Sequence, residues 1–152
     1  MQPLLLENFL PYRLSVLTNR VSSALSSVYD ERYDLTISEW RVMATLGRYS
    51  NLSPSAVCAL TAMDKVQVSR AIKSLLAAGR LSRRADKSDG RRSLLKLSAK
   101  GRAIYQAIVP EAESFERDLR SALSENEWAA FDLLLAKLDQ HTRTWLTPTP
   151  DP

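Results

Sequence analysis

Along the first thirty residues, Leu6, Leu10, Leu14, Leu17, Val21, Ala24 and Val28 recur at intervals of three and four, the spacing of one helical face. Pro11 falls inside this run from Leu4 to Val28, where it either kinks a helix or stands near its start. In "TISEWRVMATLGRYS", Thr36 and Glu39 have capping-box spacing, which predicts a helix carrying Trp40, Met43, Ala44 and Leu46. Ser53 followed by Pro54 predicts a short helix ending near Leu60. A further helix runs from Asp64 to Gly79, a residue suited to the left-handed position after a helix end. Beyond Gly79 the period changes, and "RLSRRA" and "SLLKLS" read as two short strands joined by a loop containing Gly90. Ser98 then caps a long helix from Ala99 to about Leu123, bent at Pro110. Ser124 and Glu127 open a last helix, with Trp128, Phe131, Leu134, Leu135, Leu138 and Trp145 toward one side.

Three helices followed by a two-stranded hairpin make a winged helix–turn–helix, with the hairpin as the wing. There is no internal repeat and no Gly- or Ser-rich linker between two domains. At 152 residues and 45% hydrophobic content, the chain can bury a real core.

Charge sharpens this picture. The formal net charge is only +4, yet from Lys65 to Arg102 there are twelve Lys or Arg against two acids, Asp86 and Asp89. The remainder is net acidic, so one region is built for a polyanion. On the Asp64 helix, Val68, Ile72, Leu75 and Leu76 cluster on one side. Lys65, Val66, Gln67, Arg70, Lys73 and Ser74 lie on or near the other. Arg can bond guanine bidentately, Gln can bond adenine and Val can touch a thymine methyl, while Lys65 and Lys73 suit phosphates. The hairpin adds Arg83, Arg84, Lys87, Arg91 and Arg92, the last two directly after Gly90. An Arg at such a tip can enter a narrow minor groove, and Asp89, two residues earlier, can orient its fork. A solvated hairpin would also tolerate these charges, but would not require them beside a polar helix face.

Other functions find little support. The only histidine, His141, is remote in sequence from the only cysteine, Cys58, and no phosphate loop, metal-ligand cluster or nucleophile elbow occurs. Neither catalysis nor a cofactor or metal is expected. A lone cysteine excludes an internal disulfide and fits a reducing cytoplasm. No apolar run approaches the roughly 20 residues that span a bilayer, and the start lacks the basic region of a signal peptide.

"SPSAVCALTAMDKVQVSRAIKSLLAAGRLSRRADKSDGRRSLLKLSAKG" resembles the multiple-antibiotic-resistance regulator (MarR) family of bacterial transcription factors. The family's wing pattern is matched by Asp89, Arg91, Leu97, Ser98 and Gly101, with Ser98 in place of the usual Thr. The resemblance implies an all-α fold with a small β-wing and an obligate homodimer on a pseudo-palindromic double-stranded DNA operator. On that reading residues 1–34 form an N-terminal dimerisation helix and 35–100 the winged DNA-binding domain. Residues 101–147 form C-terminal dimerisation helices, and 148–152 a flexible tail. The stretch "LPYRLSVLTNRVSSALSSVYDERYDLTISEWRVMATLG" looks like the branch controlling hydroxycinnamate and aromatic-acid catabolism, whose effectors include aromatic acids and their coenzyme A thioesters. Arg13 lies about 50° from the centre of the first helix's apolar arc and Arg20 at its margin, so each requires an anionic partner. Arg13, Arg20 and Trp40 are the candidate effector residues, with Trp40 better suited to fill the core. A redox- or partner-controlled regulator is the alternative, although Cys58 sits in an apolar turn like a small core residue.

If Asp89 orients Arg91, the two are energetically coupled. Asp89→Ala then weakens DNA binding even though it removes negative charge near phosphate. Simple electrostatics gives the opposite sign, and one titration series with Asp89→Ala, Arg91→Ala and the double variant distinguishes the two.

Overall fold

The structure, a computed structural model, describes residues 4–61, 63–85 and 93–146. The chain divides into two compact units, with the boundary after Ala112. The first begins with a 3-10 turn, Leu6–Asn8, followed by α1 (Leu10–Ser26), α2 (Asp30–Tyr33), α3 (Ile37–Arg48), α4 (Pro54–Thr61) and α5 (Lys65–Ala77). Strands β1 (Leu81–Ala85) and β2 (Ser93–Leu97) follow, then α6 (Ala99–Arg120) and α7 (Glu125–Leu146). The fold is thus mostly helical with a small antiparallel sheet, as expected from the sequence.

The apolar run from Leu4 to Val28 falls on a 3-10 turn, on α1 and on the turn after α1. Pro11 occupies the first turn of α1, where its missing N–H is not needed, so it starts the helix rather than kinking it. A separate short helix, α2, ends at Asp34 in the left-handed region (φ 49°). Helix α6 continues through Pro110 and stops at Arg120, short of Leu123.

The caps follow the sequence closely. The Thr36 hydroxyl accepts from the Glu39 N–H, and the Glu39 carboxylate accepts from the Thr36 N–H and hydroxyl, both at 2.8 Å. Ser53 caps α4, Asp64 caps α5 at 2.7 Å, and Ser98 caps α6. Gly79 sits at φ 67° after α5. The Gly79 N–H donates to the Leu76 carbonyl and the Arg80 N–H to that of Leu75, the two bonds of a Schellman motif.

One core holds the first unit together. Val42, Met43 and Leu46 of α3, Val57 of α4, Val68, Ile72 and Leu75 of α5, and Leu95 of β2 are all buried. Strands β1 and β2 pair in register Leu81↔Leu97, Arg83↔Leu95 and Ala85↔Ser93, and Leu52 makes an isolated bridge to Leu95. In the second unit, the Trp128 indole N–H donates to the Arg120 carbonyl while the Arg120 guanidinium lies 4.7 Å from the ring centroid. Helix α7 otherwise leaves Phe131, Leu134, Leu135, Leu138 and Trp145 exposed. On α1, Leu10, Leu14 and Leu17 are likewise exposed.

Gly101 is fixed by packing. A Cβ there would lie 2.0 Å from the Arg80 carbonyl oxygen, a backbone atom that cannot rotate away. Gly101→Ala should destabilise the protein by about 3 kcal/mol and lower Tm by roughly 6–12 °C. Differential scanning calorimetry of the two proteins checks this.

Candidate nucleic-acid interface

Helix α5 owes its two faces to burial. Val68, Ala71, Ile72 and Leu75 pack inward, leaving Lys65, Val66, Gln67, Arg70, Lys73 and Ser74 exposed. Val66 on this face is 58% exposed. The outward set is therefore the one read from the sequence, and Ala71 joins the inner face.

The hairpin register separates the two adjacent arginines. Successive strand residues point to opposite faces, so Arg83 shares a face with its partner Leu95, and Arg84 shares the other with Leu94. Arg83 turns toward α5 and lines a cavity of about 590 Å³ with Lys65, Lys73, Ser69 and Pro54. Its apolar wall includes Val68, Ile72, Leu76 and the half-buried Cys58. The structure thus brings Lys65, Lys73 and Arg83 around one concave surface beside the polar face of α5. Three cations there repel one another unless an anion is shared, which suits phosphate. Ser69 was missed from the sequence, although its position four residues from both Lys65 and Lys73 places it on their stripe. Lys87, Asp89, Arg91 and Arg92 lie outside the described residues.

Ser74 behaves differently from the other outward residues. Burial of Glu39 opposes ionisation, but hydrogen bonding from the Ser74 hydroxyl, then from Thr36, together with the Arg80 charge, holds its carboxyl below the ordinary range. Arg80, also absent from the sequence-derived set, donates from Nη1 to the Asp34 carbonyl at 2.9 Å and from Nη2 to that of Tyr33. The available signal was an arginine directly after the helix-ending glycine, where an apolar residue is the common companion.

The three candidate effector residues do not assemble. Arg13 and Arg20, two turns apart on α1, line a shallow groove of about 250 Å³ with Glu7, Tyr12, Val16 and Leu17. Trp40 is only 8% exposed and stacks between Tyr29 and Tyr105, with ring centroids 5.5 and 6.1 Å away. It fills the core. Among the described residues no cluster of His, Cys, Asp or Glu could hold a metal ion, and no helix is long and apolar enough to cross a membrane.

The profile of the MarR family matches residues 33–92, spanning α3 to the wing. The transcriptional regulator PecS of Dickeya dadantii is 30% identical over 132 residues, covering 85% of this chain and 77% of its own. The chain belongs to the MarR family. Members of this family are transcriptional regulators rather than enzymes, which agrees with the absence of catalytic motifs. Among solved structures, Bordetella bronchiseptica BpsR, whose DNA binding is regulated by 6-hydroxynicotinic acid, superposes with a TM-score of 0.80 at 25% identity, over 91% of this chain and 98% of its own. A MarR/EmrR family regulator from Acinetobacter sp. ADP1 shares the fold at a TM-score of 0.84 and 22% identity, over 93% and 99% of the two chains.

The lowered pKa of Glu39 makes a stability prediction for this regulator. A carboxyl whose folded pKa lies below its ordinary value of 4.5 contributes stability above that value and loses it as pH falls through the folded pKa. Urea midpoints should therefore drop on going from pH 6 to below pH 4. Glu39→Gln should be less stable at pH 6 and show a shallower acid dependence. An equally steep dependence in the variant would assign the acid sensitivity to other carboxylates.

Proposed function

We propose that this MarR-family chain is a dimeric, sequence-specific repressor that a small aromatic acid or its coenzyme A thioester releases from a pseudo-palindromic operator. The observation that carries the DNA reading is the convergence of Lys65, Lys73 and Arg83 beside the outward Gln67 and Arg70 of α5. In this reading the three cations hold phosphates and fix register. Gln67, Arg70 and Val66 read base edges, and Arg84 with Lys87, Asp89, Arg91 and Arg92 extends the contact along the wing. Ser74 completes the outward face from its position on α5.

Dimerisation is supported by unpartnered apolar surface. Leu10, Leu14 and Leu17 on α1, and separately Leu134, Leu135, Leu138 and Trp145 on α7, are exposed to a degree that a second copy would relieve. Two lobes then meet half-sites one DNA turn apart, roughly 34 Å.

The effector reading rests on Arg13 and Arg20, which share a groove and can pair with one carboxylate. BpsR, which responds to an aromatic acid, makes that ligand class the one to try first. A groove of about 250 Å³ accommodates a single-ring acid, whereas a coenzyme A moiety would extend out of it. Trp40 contributes by stiffening the lobe rather than by touching ligand.

Sedimentation at micromolar concentration should give about twice the 17.1 kDa chain mass. On a duplex selected from random DNA, Arg70→Ala should lose about 1–3 kcal/mol of discrimination. Lys73→Ala should instead weaken every duplex and reduce the salt slope by about one. Calorimetry with 6-hydroxynicotinic acid, benzoate and a benzoyl coenzyme A thioester should show weaker binding when operator is present, by the factor that each ligand weakens the operator. Arg13→Ala should blunt release and spare apo-protein DNA affinity. Equal ligand affinity with and without operator excludes the release mechanism.

A further inference from the structure

Arg80 joins elements that sequence order keeps far apart. Its backbone N–H closes the Schellman motif on the Leu75 carbonyl, and its own carbonyl accepts the Ser98 N–H at 3.0 Å. The same carbonyl abuts Gly101 so closely that no Cβ fits there. The main chain of Arg80 therefore cannot shift without moving the end of α5, the base of the wing and the start of α6. Its side chain runs the opposite way, to the end of α2, where Nη1 and Nη2 donate to the carbonyls of Asp34 and Tyr33. Those carbonyls end a helix and have no intrahelical donor ahead of them.

The cost of this arrangement argues against a filler role. Among the described residues the buried Arg80 Nε has no hydrogen-bond partner and the guanidinium makes no close ion pair, its charge acting on the Glu39 carboxyl from a distance. Burying part of a cation for two carbonyl bonds is unfavourable beside placing a leucine at the same position. What the planar fork supplies and a leucine cannot is a fixed distance and direction between two backbone segments. Among the described residues α2 makes no extensive contact with α5 or β1, and the fork ties them directly. Glu39, bonded to Thr36, lies close enough to the Arg80 guanidinium and the Ser74 hydroxyl for both to favour its ionised form.

We propose that Arg80 is a positioning residue that fixes the angle at which α5 is presented, by tying the end of α2 to the turn between α5 and β1. This rests on the dimeric DNA-binding reading above, because an angle set within each lobe becomes a required separation of half-sites only when two lobes bind together. Arg80 itself touches no base. Its loss should loosen the tolerance for half-site spacing while leaving the phosphate contacts of Lys65 and Lys73 in place.

The test uses a duplex selected from random DNA by the wild-type protein, and two derivatives with one base pair inserted or removed between its half-sites. Wild type should lose affinity by about tenfold or more on either derivative. Arg80→Met should bring the three affinities within about threefold of one another, and Arg80→Lys, able to reach one carbonyl, should fall between. A variant that is merely less stable loses active protein equally for all three duplexes and keeps the wild-type ratio. A folded Arg80→Met protein with an unchanged ratio overturns the proposal. Should Arg80→Met fail to fold, Arg80→Lys decides in the same way, an unchanged ratio again overturning it. Indifference of the wild-type protein to spacing overturns the dimeric reading itself, and needs no variant to detect.

Discussion

The winged lobe depends on the close approach of two backbones, the Arg80 carbonyl against the α-carbon of Gly101. Gly79, in the left-handed region, reverses the chain after α5 and delivers the Arg80 carbonyl to this spot. The Ser98 N–H bonds to that oxygen, and the Ser98 hydroxyl both donates to the Gly79 carbonyl and caps α6. These bonds lie within a few residues on either side of the wing. They fix where β1 leaves α5 and where β2 enters α6, and so set the register Leu81↔Leu97 from which Arg83 and Arg84 take their opposite faces.

The polar face of α5 is a consequence of what the opposite face buries. Val68, Ala71, Ile72 and Leu75 fill the space against α3, which leaves no choice about the direction of Lys65, Gln67, Arg70 and Lys73. Dense packing of this kind makes the lobe stiff, and stiffness is what a base-reading surface needs. Outside the lobe the opposite holds. The leucines of α1 and α7 have the periodicity of packed helices but lie exposed, so the chain carries more apolar surface than it buries alone. The reading head is complete in one copy.

Local chemistry was the most legible part of the sequence. Thr36 with Glu39, Ser124 with Glu127, Asp64 and Gly79 announced their caps because each satisfies backbone groups only a few residues away. The outward residues of α5 were readable from period alone. Pro11 was ambiguous because a proline in a first turn and a proline at a kink have the same neighbours, and only the start of α1 distinguishes them. Trp40 could not be separated from a ligand wall because stacking on Tyr29 and Tyr105 joins residues 11 and 65 positions away. The inward turn of Arg83 follows from pairing with Leu95, and the tie from Arg80 to α2 crosses 46 residues. Contacts of that range leave no period in the chain.

The joint between α1 and the lobe constrains how any signal could reach DNA. Tyr29, in the turn between α1 and α2, is 1% exposed and stacks on Trp40, and burial raises its hydroxyl pKa above the ordinary value. Just beyond it, Tyr33 and Asp34 hold the Arg80 fork. Within this unit, then, the turn after α1, α2 and the end of α5 are connected by packed aromatics and hydrogen bonds rather than by loose loop. A carboxylate drawing Arg13 and Arg20 together would therefore meet a stiff attachment at the lobe end of α1. Packed interiors resist continuous deformation, so under the proposed release such a response would take the form of a rigid-body displacement of the lobe. In the proposed dimer, such a displacement would cost little inside the lobe and would be registered in the separation of two recognition helices. A coupling of about 1–3 kcal/mol, typical of regulated sites, can thus arise without any change in the residues that read DNA.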